Sequence, residues 1–221
     1  MCDGMDARRH RDARRTRPAE RPRHPSDVIR SDGGFSLIEL LAVVSVMAIV
    51  AAMAVPMATS AFTGYQLRNT GKGLSGAVSL AKLRAAAGFS RARVYADLAT
   101  NRYRIEVWNK GTSTWVAEGG NVPLGQTVTF GFGDLDTPPP STQDAIAQAA
   151  PCADNDGDDI DDTACIVFNS RGIPVDAVGA PLGGNAFYVT DGVGVRATTV
   201  TTTPLIREWW SPTHDSLWVN Q

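Results

Sequence analysis

The sequence predicts an α+β protein in which one long N-terminal transmembrane helix packs on antiparallel β-sheets. Three observations carry that expectation. From Leu40 to Ala58 nearly every residue is apolar, which meets the roughly 20 residues a helix needs to cross a hydrocarbon core. Further on, Leu67, Leu74, Val78, Ala81 and Ala85 recur at spacings of seven, four, three and four, the single stripe of a helix lying on a sheet. From Arg93 onward the period changes from helical to alternating, as half-buried strands require.

The chain has 221 residues with a net charge of −2, unevenly shared. Residues 1–34 hold nine Arg against six acids and are rich in Pro, whereas the remainder holds 12 basic and 17 acidic residues, leaving it at −5. With almost no apolar residues, the first segment reads as a disordered leader that is removed, and fold reasoning excludes it. A basic flank stays cytoplasmic, which sends the C-terminal part across the membrane. The pairs Arg8-Arg9 and Arg14-Arg15 suggest a twin-arginine signal, but about 20 mostly polar residues separate them from the apolar run. Ordinary signal cleavage near Ala52-Met53-Ala54 or Thr59-Ser60-Ala61 would free a soluble domain. The apolar stretch is too long for that reading, and Glu39 would have no explanation.

Glu39 is the residue a plain anchor does not predict. A carboxylate within a spanning helix costs on the order of 2.5–3.5 kcal/mol unless it is paired. Ahead of the apolar run stands Gly34-Phe35-Ser36-Leu37-Ile38-Glu39. This stretch resembles the processing site of type IV prepilins and pseudopilins. The resemblance implies cleavage by a prepilin peptidase between Gly34 and Phe35, N-methylation of Phe35, and an assembly role for Glu39. As fifth residue of the mature chain, Glu39 would pair with the N-terminal amine of a neighbouring subunit. It also implies four segments: a cytoplasmic leader (1–34), the transmembrane part of the helix (35–61), its periplasmic part (62–92), and a β-rich pseudopilin head (93–221).

The helix is expected from Phe35 to about Ala87, roughly 80 Å at 1.5 Å per residue. Pro56 should kink it, and Gly64, Gly71, Gly73 and Gly76 each cost up to about 1 kcal/mol relative to Ala. Gly71 to Gly76 matches the dinucleotide pattern G-x-G-x-x-G, but no strand precedes it, so a glycine-weakened helix is the expectation. Lys82, Arg84, Arg91 and Arg93 read as the solvated end of a helix, where cations suit the dipole.

Strands are expected at 102–108, 114–117, 127–132 and 165–168, with Asn109 to Thr112 as a turn, and at 185–190, 193–202 and 205–210 as a C-terminal meander. Ile166 to Pro174, Ala186 to Asp191 and Thr198 to Trp210 resemble the GspH/FimT-type branch of pseudopilins and minor pilins. The sequence departs from that branch at Pro204, where a turn glycine is expected, and in the long segment 138–163.

In that segment Pro138 to Pro140 open a loop, and residues 141–150 are expected to form a short helix capped by Ser141 or Thr142. Six aspartates then fall within nine residues. Asp154, Asp156 and Asp158, with Asp161 or Asp162, offer hard oxygens around Gly157 to one calcium ion, against a plain reading as a solvated acidic loop. No other cofactor is expected. Cys152 and Cys165 flank the loop, and in an oxidising periplasm a disulfide is the natural reading. Cys2 lies in the leader, so no zinc set remains.

Catalysis finds little support. His214, Asp215 and Ser211 or Ser216 sit together in a polar tail with no nucleophile elbow. Trp209, Trp210 and Trp218 suggest either a contact surface or aromatics packed on their own sheet. The resemblance thus implies a structural subunit, not an enzyme: a minor pseudopilin of a type II secretion pseudopilus that contributes to protein export. Its partners would be other pseudopilins or minor pilins, the prepilin peptidase and the bacterial inner membrane, with the head in the periplasm. The alternative within the family is a minor type IV pilin, FimT-like and binding DNA for uptake. The acidic mature chain argues against nucleic acid, since nonspecific affinity needs clustered Lys or Arg. Outside the family stands a secreted or anchored periplasmic β domain.

Overall fold

The computed structural model describes residues 34–221. The leader up to residue 33 lies outside the described residues. One helix, α1 (Leu37–Ala87), is followed by β1 (Ala92–Asp97), β2 (Arg102–Asn109), β3 (Thr114–Pro123) and β4 (Thr129–Phe130). Next come β5 (Cys152–Ala153), β6 (Asp159–Ile160), β7 (Thr163–Phe168) and β8 (Pro174–Val175). The chain closes with β9 (Asn185–Thr190), β10 (Gly194–Val200), β11 (Ile206–Pro212) and β12 (Val219–Asn220). Packing divides the chain into a unit ending at Met47 and a unit spanning Ala48–Gln221. In the first unit the helix is apolar apart from Glu39 and Ser45, with Leu37, Ile38, Leu40, Leu41, Val43, Val44, Val46 and Met47 exposed.

In the second unit the sheets have the orders β3-β2-β1-β7-β8 and β12-β11-β10-β9-β4, with β5-β6 as a small third ladder. All ladders are antiparallel. The expected helical stripe is the buried one: Leu67, Leu74, Val78, Ala81 and Ala85 are each 3% exposed or less. They share a core with Val94 of β1, Ile166 and Phe168 of β7, and Phe187 and Val189 of β9, so both sheets close on the helix. A second cluster lies on the far face of the second sheet, where Tyr188, Val195, Ala197 and Trp209 are covered by Phe132, Leu135, Ile146 and Trp218.

The helix is assigned without a break through Pro56 and through Gly64 to Gly76. Its end is set by Phe89 at φ 47°, with Ser90 N–H returning to Ala85 O at 3.1 Å. The Asn109 turn forms as expected, since Asn109 Oδ1 accepts from Gly111 N at 2.9 Å. Pro204 stands in the turn between β10 and β11, which Thr201 N–H closes on Leu205 O at 3.1 Å.

The expected short helix at 141–150 is absent; this stretch is turns and irregular backbone. Ser141 sits at φ 60°, which no helix admits. Instead the segment is tied to β9 by its glutamines. Gln148 Oε1 accepts from Tyr188 N at 2.9 Å, Gln148 Nε2 donates to Tyr188 O at 2.8 Å, and Tyr188 Oη donates to Gln143 Oε1 at 2.6 Å. These bonds mimic a strand partner. A helix would have pulled both side chains away.

Candidate functional site

Gly34, Phe35 and Ser36 precede the first helical turn, and Phe35 is 82% exposed. Ser36 is the N-cap: its carbonyl accepts from Glu39 N at 3.0 Å and Leu40 N at 3.1 Å, and its Oγ accepts from Glu39 N at 3.2 Å. The Gly34–Phe35 peptide bond therefore lies in non-helical, exposed chain one residue before the cap. That is a conformation a protease can bind. Glu39 is at the third position after the cap, so Ser36-Leu37-Ile38-Glu39 has the pattern of a capping box. Its carboxylate is exposed and favoured by the positive end of the helix dipole. Among the described residues it makes no ion pair. The capping pattern was present in the sequence as Ser three residues before Glu, and it supplies a local reason for Glu39 beside the assembly role expected of it.

Past this terminus the helix stays uncovered, with Ile49, Val50, Met53, Val55 and Met57 each at least 60% exposed. By length and composition it suffices to cross a membrane. Ser45 does not interrupt the apolar surface, because its hydroxyl donates to Leu41 O at 2.8 Å within the helix.

The glycines of the G-x-G-x-x-G pattern serve packing. A Cβ on Gly71 would stand 2.7 Å from Arg196 Cδ, and one on Gly73 would stand 2.9 Å from Tyr103 Oη, whereas at Gly76 it would meet nothing within 4 Å. Gly71 and Gly73 thus let the sheets approach α1.

Cys152 and Cys165 form the expected disulfide, with Cα atoms 4.9 Å apart. The loop it closes lies as a strap on the outer face of the first sheet. Cys165 N–H donates to Ala150 O at 2.8 Å, Arg93 Nη1 donates to Ala153 O, and Trp115 N–H donates to Asn155 Oδ1 at 2.8 Å. The five aspartates named for calcium do not gather. Among the described residues no three carboxylate, imidazole or thiol groups lie close enough to hold a metal ion. Asp154 Oδ1 is turned into its own loop, accepting from the N–H groups of Asp156, Gly157 and Asp158 at 2.8–2.9 Å. Those amides, Asp158 first, hold its carboxyl below the usual carboxylate range.

Arg93 corrects the reading of the basic cluster as a solvated helix end. It is 3% exposed and bonded to Glu106 Oε2 at 2.6 Å, while Arg104 takes Glu106 Oε1 at 2.7 Å. Beside this pair, Arg91 lies over Trp108, Arg93 over Trp115 and Arg104 over Tyr95, at 3.9–4.4 Å from the ring centres. Alternation on β1 forces Arg93 onto the face that the strap covers. Lys82 is bonded to Pro204 O at 3.0 Å, and Arg84 pairs with Glu118 at 2.6 Å.

The tail residues do not form a triad: Ser211 is buried and its Oγ donates to Asp215 O at 2.7 Å. Trp209 Nε1 donates to Thr199 Oγ1 at 2.9 Å and Trp218 packs on Tyr188, so both serve the second sheet.

Residues 29–55 match the family model of the prokaryotic N-terminal methylation motif. The matched stretch includes Gly34 to Glu39 and the first turns of α1. No curated protein matches it. Two solved structures, both of the minor pseudopilin EpsH from the type 2 secretion system of Vibrio cholerae, share 10% sequence identity with it. They align over 65% of this chain and 95% and 92% of theirs, with TM-scores of 0.40 and 0.38.

Proposed function

We propose that this chain is a minor pseudopilin, a structural subunit of a type II secretion pseudopilus that is held in the inner membrane by α1 and works by assembly. The observation that carries the reading is the methylation motif at 29–55 in its geometry: an exposed Gly34–Phe35 bond, a Ser36 cap, and Glu39 in the first turn of an uncovered apolar helix. Cleavage at Gly34–Phe35 leaves an amine at Phe35 and a carboxylate at Glu39. A subunit whose Glu39 meets the amine of its neighbour removes two charges from lipid together, which favours one axial register. The head, with its two sheets, is the part that meets other minor subunits or exported protein in the periplasm. Binding of DNA is disfavoured because Arg93, Arg104 and Arg84 are already committed to Glu106 and Glu118.

Glu39→Ala tests the assembly step. The variant is expected to be cleaved and membrane-inserted normally, yet to fall at least about tenfold in the sheared filament fraction, as loss of one buried charge pair implies. Wild-type incorporation by Glu39→Ala would refute this role for Glu39.

A further inference from the structure

We propose that the membrane-proximal rim of the head, formed by Val193 in the turn between β9 and β10, Trp210 of β11 and Tyr65 of α1, rests in the interface of the phospholipid bilayer from which α1 rises. The choice of lipid rests on the membrane-anchor reading above.

These residues are brought to one level because β10 climbs alongside α1. A Cβ on Gly194 would lie 3.4 Å from Leu67 Cδ2 and 3.0 Å from Trp210 Nε1, and one on Gly71 would lie 2.7 Å from Arg196 Cδ. Two residues of strand, about 6.6 Å, thus run beside four residues of helix, about 6 Å. Following β10 back by one residue from Gly194 puts Val193 about 3 Å before the level of Leu67, beside that of Tyr65. Tyr65 is four residues past Ala61, where the expected membrane part of α1 ends. That is about 6 Å of helix, within a headgroup layer about 5–8 Å deep.

The surface at this level suits lipid. Val193 is 73% exposed, Tyr65 61% and Trp210 37%. No charged residue occurs from Leu40 to Leu67, and exposed Phe62 carries the apolar surface of the helix up to Tyr65. The contact is therefore continuous with the anchor. Val193 is held in place by its turn, since Asp191 Oδ1 accepts from Val193 N at 3.0 Å and Gly194 N at 2.9 Å, and Thr213 N–H donates to Val193 O at 3.1 Å. Tyr and Trp combine an apolar body with a polar tip, the chemistry that settles at a membrane interface. Seating this rim sets the height of the head and its rotation about α1 before assembly.

The test places the full chain in nanodiscs of phosphatidylcholine, with or without a nitroxide near the top of the acyl chains, and follows tryptophan emission. The chain has five tryptophans, so contact at Trp210 is expected to remove up to about a fifth of the emission in labelled discs. Trp210→Phe should abolish that loss. Trp108→Phe should keep it, because Trp108 O accepts from Ser90 Oγ at 2.7 Å beyond the far end of α1, about 30 Å from the rim. Val193→Asp, at an exposed turn position, should at least halve the loss while the head stays folded by near-UV dichroism. A chain that stays out of the discs overturns the anchor and the rim contact together. An inserted chain with equal emission in both discs, a loss that persists in Trp210→Phe, or one untouched by Val193→Asp overturns the rim contact alone. Emission from Trp210 that changes with protein concentration and not with the nitroxide would give the rim to a second subunit and overturn the lipid.

Discussion

Gly71 and Gly76, five residues apart on one helix, are predicted to answer the same substitution with opposite signs. A methyl at Gly71 meets Arg196 Cδ at 2.7 Å and Cβ at 3.3 Å, so Gly71→Ala must displace a buried side chain or its strand and should cost about 1–3 kcal/mol. At Gly76 the space is open, and Gly76→Ala should add up to about 1 kcal/mol by helix propensity alone. Urea unfolding of both variants in detergent decides it; two shifts of the same sign would contradict the packing described. At the same scale, Asp154 ties stability to pH. Its folded pKa is depressed, so its contribution is present above the unfolded value of about 3.9 and is lost as pH falls through the lower, folded one. Asp154→Asn keeps an acceptor for the loop amides but does not titrate. Its stability should therefore decline less than that of the wild type below about pH 3.9, a difference read from unfolding midpoints across that window. Asp97 and Asp136 are also held low, so some acid loss remains in the variant.

At the scale of elements, the strap is the piece whose removal is most informative. The Cys152–Cys165 bond spans 13 residues and should contribute about 3 kcal/mol by limiting the unfolded chain. Replacing both cysteines with serine should lower the urea midpoint accordingly. It should also expose Trp115, which the strap partly organises through Asn155, and shift its fluorescence. An unchanged midpoint would mean that the strap is dispensable for the head. The disulfide and the helical stripe were legible because each depends on spacing along the chain. The segment 141–150 was not. Its helix-like composition is overruled by contacts with β9 that lie 40 residues away in sequence, and local propensity contains no trace of them. Short strands such as β5, β6, β8 and β12 were missed for the same reason, since two residues carry no period.

For the whole molecule, the α+β architecture followed from one change of period near Arg93, and the candidate processing site followed from six consecutive residues. What stayed hidden was how charge is placed. Arg93 in a run of basic residues looks solvated, yet strand alternation buries it on Glu106 under the strap. Six aspartates look alike in the sequence, and the first of them turns one carboxylate oxygen, Oδ1, into its own loop. Both outcomes depend on which face a residue takes, which composition does not encode. The central claim is that this chain is a prepilin whose maturation creates the terminus it assembles with. Mass spectrometry of the mature N-terminus, in cells with and without a prepilin peptidase, tests it most directly. A start at N-methylated Phe35 that disappears without the peptidase is the predicted result. A start near Val55 or Phe62, or an uncut chain in both strains, would contradict it and leave a secreted or simply anchored β domain.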